Sequence, residues 1–236
     1  MIMSTIVQNL QAVDASIVAA ANAAGRQPGE VRLLAVSKTF PPEAVLEAFA
    51  AGQNAFGENY LQEALDKMAA VSAALPGREI EWHFIGPIQS NKTRPIAAHF
   101  DWVHTVERLK IAQRLSEQRP EQRGPLNICL QVNISGEVSK SGVSPEELPE
   151  LARAVAGLPR LRLRGLMAIP EPEADVARQR AAFRRLRELA EALRAQGMAL
   201  DTLSMGMSAD MGAAIAEGST MVRIGSAIFG MRTYQT

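Results

Sequence analysis

Few residues of this chain could do covalent chemistry, and Lys38 stands out because it follows directly on the apolar run LLAVS at 33–37. Burial penalises the charged form of a lysine and leaves an amine able to act as a nucleophile or to form a Schiff base with a carbonyl. A lysine that snorkels past an apolar rim is the plain alternative. Two Gly-containing segments, SMGMS (204–208) and IGSAIFG (224–230), offer backbone N–H groups of the kind that hold phosphate. Ser204 and Ser226 could add hydroxyl donors there, whereas Ser208 also reads as a simple helix N-cap. Arg223 lies inside the apolar run MVRIG. A guanidinium cannot lose its charge, so it needs a partner, either a structural carboxylate or an acceptor on a ligand. Asn59, in FGENY, could bind a ligand or cap the following helix, and its position favours the cap.

Positioning these residues takes a scaffold, and the chain repeats one pattern from end to end. An Ala-rich helix (about 4–24) precedes a strand at 31–37, a helix at 41–52, a short strand near 53–56 and a helix over 60–74. Strands follow at 79–86, 101–106, 126–134, 160–169, 201–206 and 221–225, separated by helices near 90–98 and 107–119, after Pro145, and over about 174–196 and 208–217. Eight strands alternating with helices define parallel βαβ units and predict an α/β fold, a single-domain (β/α)8 TIM barrel over 1–236. No GxGxxG follows the first strand, which disfavours an open doubly wound sheet.

In such a barrel the chemistry sits at the C-terminal strand ends, and phosphate is commonly held after strands 7 and 8. That placement gathers Lys38, Asn59, the two Gly-containing loops and Arg223 around one mouth. A reactive amine, a phosphate cradle and a lone arginine match a phosphorylated aldehyde, pyridoxal 5′-phosphate. A cofactor-free lysine-dependent aldolase combines the same parts and stays open as an alternative.

Composition narrows the rest. With 25 basic and 25 acidic residues the net charge is zero, so no electrostatic grip on nucleic acid or lipid is expected. The Arg-rich helix VARQRAAFRRLRELAEALRAQG interleaves Arg with Glu and reads as a solvated face laced with ion pairs. The single cysteine, Cys129, excludes an internal disulfide and a Cys-based zinc cluster. No run approaches about 18 apolar residues, and the N-terminus has no signal-peptide pattern, so the expectation is a cytoplasmic protein. Of the three histidines, His83 reads as an interior strand residue and His99 as a helix end, while His104, at a strand end, is the one candidate acid; their spacing makes no metal site.

The segments AVSKT, FGENYLQE, WHFIGPIQSNK, SKSG, GLMAIP, LSMGMSAD and VRIGSAIFG, in that order, resemble the YggS/PROSC family of pyridoxal phosphate homeostasis proteins. The resemblance implies a barrel like the alanine racemase N-terminal domain and a pyridoxal phosphate Schiff base at Lys38. It implies Asn59 near the cofactor ring and Arg223 facing the pyridine nitrogen. Ser204, the backbone at Gly206 and Met207, Gly225 and Ser226 would hold the phosphate; Ser226 stands where the family often has Thr, and the hydroxyl is kept.

Family members are regarded as cofactor carriers or regulators of vitamin B6 balance without an established reaction. The residues agree with a carrier. A racemase needs two positioned acid/base groups, and a chain of one barrel's length with only Tyr60 and Tyr234 lacks the second. A cationic partner at the ring nitrogen also weakens carbanion stabilisation, although alanine racemase itself uses arginine there. The expectation is therefore a non-catalytic monomer, with apo pyridoxal phosphate-dependent enzymes as recipients and a pyridoxal phosphate-dependent racemase as the alternative. Lys140, in the Gly- and Ser-rich loop NISGEVSKSG, reads as a solvated lysine or as a transient second acceptor for the aldehyde.

Overall fold

Strands buried on both faces must read as apolar runs, and β4 (Trp102–Val106), buried at every residue, is the type case. The computed structural model describes residues 4–136 and 141–231, so Lys140 and Tyr234 lie outside the described residues. Eight parallel strands close into one barrel in sequence order. They are β1 (Arg32–Val36), β2 (Ala55–Glu58), β3 (Glu81–Phe84), β4, β5 (Leu126–Gln131), β6 (Leu161–Met167), β7 (Thr202–Ser204) and β8 (Met221–Ile224). Closure is made by β8 on β1, where Leu34 pairs with Arg223 and Ala35 with Ile224. The seam between β7 and β8 is the thinnest, with the single pair Ser204–Met221.

Helices α1 (Thr5–Ala23), α2 (Pro42–Ala50), α3 (Leu61–Ala74), α4 (Thr93–His99), α5 (Leu109–Gln118), α6 (Leu148–Ala156), α7 (Val176–Ala195) and α8 (Met211–Ala216) surround it. Their apolar faces and the outward strand residues make the main core, including Phe56, Phe84, Phe100, Leu115 and Phe183. Two small apolar groups stand apart, Leu34–Ala55–Met221 and Trp102–Cys129–Met167. Alternating along the strands with the core residues, they fill the inside of the barrel.

Three local expectations are corrected. The second strand lies at Ala55–Glu58 rather than 53–56, which takes Glu58 out of the loop and buries it. Ser208 is not the cap of α8: it sits in the preceding turn, and Asp210 holds the cap position. A one-turn helix, α9 (Ser226–Phe229), follows β8, where no helix was expected.

The arginines of α7 are tied down, though less to their own helix than its charge pattern implies. Arg180 Nε and Arg187 Nη1 donate to the Glu217 carboxylate at 2.8 and 2.9 Å, and Arg184 Nη2 joins them at 3.1 Å. Burial alone would push the Glu217 carboxyl up, but hydrogen bonds from Arg184 and Arg180 outweigh it and hold it below the usual carboxylate range. A carboxyl whose folded pKa is depressed contributes stability above its unfolded pKa, and loses it as pH falls through the folded value. Because the arginines are part-exposed, Glu217→Gln should lower stability near neutral pH by about 1–2 kcal/mol. The gap from wild type should narrow at a pH below the usual carboxylate range. Urea unfolding at both pH values checks this; a gap of constant size would remove Glu217's charge from the explanation.

Candidate cofactor-binding site

Lys38 lies two residues beyond β1, half-buried, in a turn whose next residue is unusual. Thr39 has φ +68, a left-handed conformation that a β-branched residue adopts only under constraint. The constraint is a buried ion cluster. Lys67, from α3, is 3% exposed and Glu58, from β2, is 0% exposed. Lys67 Nζ donates to Glu58 Oε1 at 2.6 Å, to the Ser37 carbonyl at 2.7 Å and to Glu63 Oε1 at 3.0 Å. Glu63 Oε1 in turn accepts the Thr39 N–H at 2.6 Å, and Ser37 Oγ donates to Glu58 Oε1 at 2.7 Å. The residues on both sides of Lys38 are thus fastened to one cluster, which fixes where the amine starts.

At the end of β2, Glu58 Oε2 and Asn59 Oδ1 are buried without a hydrogen-bond partner, two acceptors left for a donor that the described residues do not supply. Gly86 packs its Cα against the Asn59 backbone so closely that a Cβ would fall 2.2 Å from the Asn59 carbonyl oxygen. Only glycine fits there, and this sets Asn59 against the end of β3. A cavity of about 410 Å³ opens beside it, lined among others by Asn59, Thr105, Glu107 and Gln131, a size that suits a small ligand. A larger hollow of about 820 Å³ lies against Glu81, Trp82 and Asp101 and contains none of the expected site residues.

The loop after β7 turns at Gly206, whose φ of +97 and 2.6 Å from a would-be Cβ to Ala214 Cβ both require glycine. Met207 N–H donates to Asp210 Oδ1 at 2.6 Å. Gly225 lies against the end of β1, with a would-be Cβ 3.1 Å from the Val36 carbonyl, which brings the β8 loop beside the Lys38 turn. Ser226, exposed, opens α9, where the first backbone N–H groups have no acceptor within the helix.

Arg223 and Ser204 meet inside the barrel. The guanidinium, 4% exposed, donates from Nη1 to Ser204 Oγ at 2.8 Å and from Nη2 to the Ala168 carbonyl at 3.1 Å. Among the described residues no carboxylate reaches it within ion-pair distance. Burial pulls its pKa down to about 10, still leaving it charged. Ser204 also engages His104 Nδ1 at 2.8 Å, so its hydroxyl faces the barrel interior. His104 Nε2 is 2.9 Å from His83 Nδ1, and His83 Nε2 is 2.5 Å from Glu81 Oε1. Burial lowers the pKa of both rings, and for His104 the nearby His83 and Arg223 lower it further. His83 is the satisfied interior histidine expected of it. His104 is not an exposed acid, since it is fully buried with both nitrogens engaged. His99 sits at the end of α4 with Nδ1 on the Pro95 carbonyl.

The structure thus places Lys38, Asn59, Gly206, Met207, Gly225 and Ser226 at the same end of the barrel, with Ser204 and Arg223 beneath them. Sequence reasoning missed Lys67, Glu58 and Glu63. The Glu63–Lys67 spacing of four residues looks like an ordinary surface pair on a helix. It also missed the file from Glu81 to Ser204, whose only trace is that Glu81 and His83 are two apart and share a strand face.

Residues 8–233 match the family described as alanine racemase, N-terminal domain. Over 232 residues the chain is 67% identical to a pyridoxal phosphate homeostasis protein of Pseudomonas aeruginosa, covering 98% of each, and 56% identical to one of Escherichia coli, covering 98% and 99%. A solved structure of PipY from Synechococcus elongatus, with pyridoxal phosphate bound, matches with a TM-score of 0.83 at 36% identity, over 95% of this chain and all of that one. The chain belongs to the alanine racemase N-terminal-domain family and, within it, to the pyridoxal phosphate homeostasis proteins. An alanine racemase from Corynebacterium glutamicum shares the barrel at a TM-score of 0.68 and 20% identity, which shows the common fold alone.

Removing one partner of a buried ion pair leaves the other charge stranded, at about 3–5 kcal/mol. Lys67→Met should therefore lower Tm by on the order of 10 °C, and adding Glu58→Gln should recover part of the loss. Calorimetry of the single and double variants reads this out; an additive double variant would mean that the two side chains do not act as a pair.

Proposed function

We propose that this protein binds pyridoxal 5′-phosphate at the C-terminal mouth, with Lys38 forming the Schiff base, and holds it for cellular cofactor homeostasis rather than for catalysis. One observation carries the reading: Arg223 is a buried guanidinium with no carboxylate within ion-pair distance among the described residues. A structural arginine would be expected to have one. A pyridine nitrogen is an uncharged acceptor suited to that place, and an arginine facing it keeps the nitrogen unprotonated. When bound, the cofactor supplies an electron-accepting ring, and Arg223 weakens that capacity.

The remaining residues fit the same ligand. The turn fastened by Lys67 and Glu63 presents the Lys38 amine. Asn59 lines the cavity that also touches Thr105 and Gln131. Backbone N–H groups at Gly206, Met207, Gly225 and Ser226, with the Ser226 hydroxyl, take the phosphate, while Ser204 supports Arg223 from below. A carrier is favoured because His104 is enclosed in the barrel and Tyr60 is 53% exposed at the start of α3, leaving neither poised as a second acid. Apo pyridoxal phosphate-dependent enzymes are the proposed recipients. Lys140 remains proposed as a transient acceptor during transfer.

Borohydride reduction followed by peptide mapping should fix the cofactor on Lys38, and Lys38→Ala should fold yet lose the visible absorbance. Fixation mainly on another lysine would overturn the assignment. Loss of a charge-assisted hydrogen bond typically removes about 1.5–3 kcal/mol, so Ser226→Ala should weaken pyridoxal phosphate by that amount and leave unphosphorylated pyridoxal nearly unchanged. Titration with both ligands decides it, equal losses counting against a phosphate role. Deuterium exchange at the α-carbon of added amino acids should stay at background; rapid exchange would restore the racemase reading.

A further inference from the structure

An unbroken file of hydrogen bonds runs through the inside of the barrel, from its N-terminal rim to the mouth. Arg32 Nη1 donates to Glu81 Oε1 at 2.7 Å, and the same oxygen meets His83 Nε2. His83 Nδ1 meets His104 Nε2, His104 Nδ1 meets Ser204 Oγ, and Ser204 Oγ accepts from Arg223 Nη1. The rings are further fixed by Trp102, stacked on His83 at 5.3 Å with 8° between planes.

The chemistry of the two ends dictates the direction of every bond between them. A guanidinium only donates and an ionised carboxylate only accepts, while a neutral imidazole has one nitrogen of each kind. Burial keeps both rings neutral. Burial also pushes Glu81 up, but the hydrogen bond from His83 and the charge and hydrogen bond of Arg32 hold it below the usual range, so it is ionised. His83 must then carry its proton on Nε2 and accept at Nδ1. His104 must carry its proton on Nε2, facing His83, and accept at Nδ1. Ser204 must therefore donate its one hydroxyl proton to His104, which leaves only lone pairs for Arg223. Reversing the file requires a proton on Glu81 and sends the Ser204 hydroxyl proton elsewhere.

We propose that Glu81 is a positioning residue for the mouth: acting through His83 and His104, it commits the Ser204 hydroxyl proton to His104 and so sets the oxygen on which the guanidinium that faces the cofactor ring rests. The last clause rests on the pyridoxal phosphate reading; the direction of the file does not. Ser204 then acts on the ring side of the site, through Arg223, and offers no proton to a phosphate.

The test uses the full chain with nitrogen-15-labelled histidine, first without cofactor. Wild type should show His83 and His104 as neutral Nε2–H tautomers. Glu81→Gln, whose amide oxygen still accepts, should keep that pattern. Glu81→Leu should lose it, with Nδ1–H signal appearing at His104; His83→Leu, which spares the Arg32–Glu81 pair, should do the same should Glu81→Leu not fold. With labelled pyridoxal phosphate bound, the ring-nitrogen resonance should shift in the Leu variant and stay in place in the Gln variant. Nδ1–H or imidazolium at His104 in wild type overturns the proposed direction. An unmoved ring resonance in a variant whose histidine pattern has changed overturns the link to the mouth. A protein that takes up no pyridoxal phosphate overturns the cofactor reading instead, and the histidine pattern still upholds or overturns the role of Glu81 in orienting Ser204.

Discussion

A guanidinium enclosed in a closed barrel cannot give up its proton, and what surrounds Arg223 follows from that constraint. Its N–H groups take the Ser204 hydroxyl and the Ala168 carbonyl, which engages the ends of β6 and β7. Its charge helps to keep His104 neutral, and a neutral His104 is what lets the file to Glu81 form. The chain resolves its other enclosed cation differently. Lys67 is neutralised by Glu58 and Glu63 from its own sequence. One buried cation is fully provided for within the protein, and the other makes its side-chain hydrogen bonds to uncharged oxygens.

These two cations divide the site between them. Lys67 works from the helix layer, on the backbone around Lys38, and it has nothing to offer a ligand because its three contacts are already internal. Arg223 works from inside the barrel and reaches toward the mouth. The pairing of Leu34 with Arg223 across the β1–β8 closure places the two systems on neighbouring strands. The strand that leads into the Lys38 turn is therefore paired directly with the strand that carries the guanidinium.

Much of this was legible in the sequence, for physical reasons. Strands such as WVHTV and NICLQ are buried on both faces, so they read as apolar runs between helical patterns. Lys38 and Arg223 were conspicuous because a charge beside or within such a run demands a reason. Lys67 was not, because LQEALDKMAAVSAA has the amphipathic pattern of any covering helix, and a single sequence does not tell an inward lysine from an outward one. Glu58 was hidden by the displaced boundary of β2. The segment after β7 was legible only in part. Gly206 turns as a phosphate loop would, whereas α8 starts four residues beyond Met207, so the loop and the helix start are separate features.

The contact between Asp210 and the Met207 N–H bears on how long a guest stays. A carboxylate of the chain already occupies that donor, and the same carboxylate lies close enough to favour the charge on Arg223. Any dianion that takes the Met207 N–H does so by exchange with an anion that never leaves the molecule. Entry is then a substitution, and so is departure: as the guest loosens, its rival is at hand to close the gap. If the loop holds a phosphate as proposed, a tethered competitor shortens its residence without requiring the rest of the site to open.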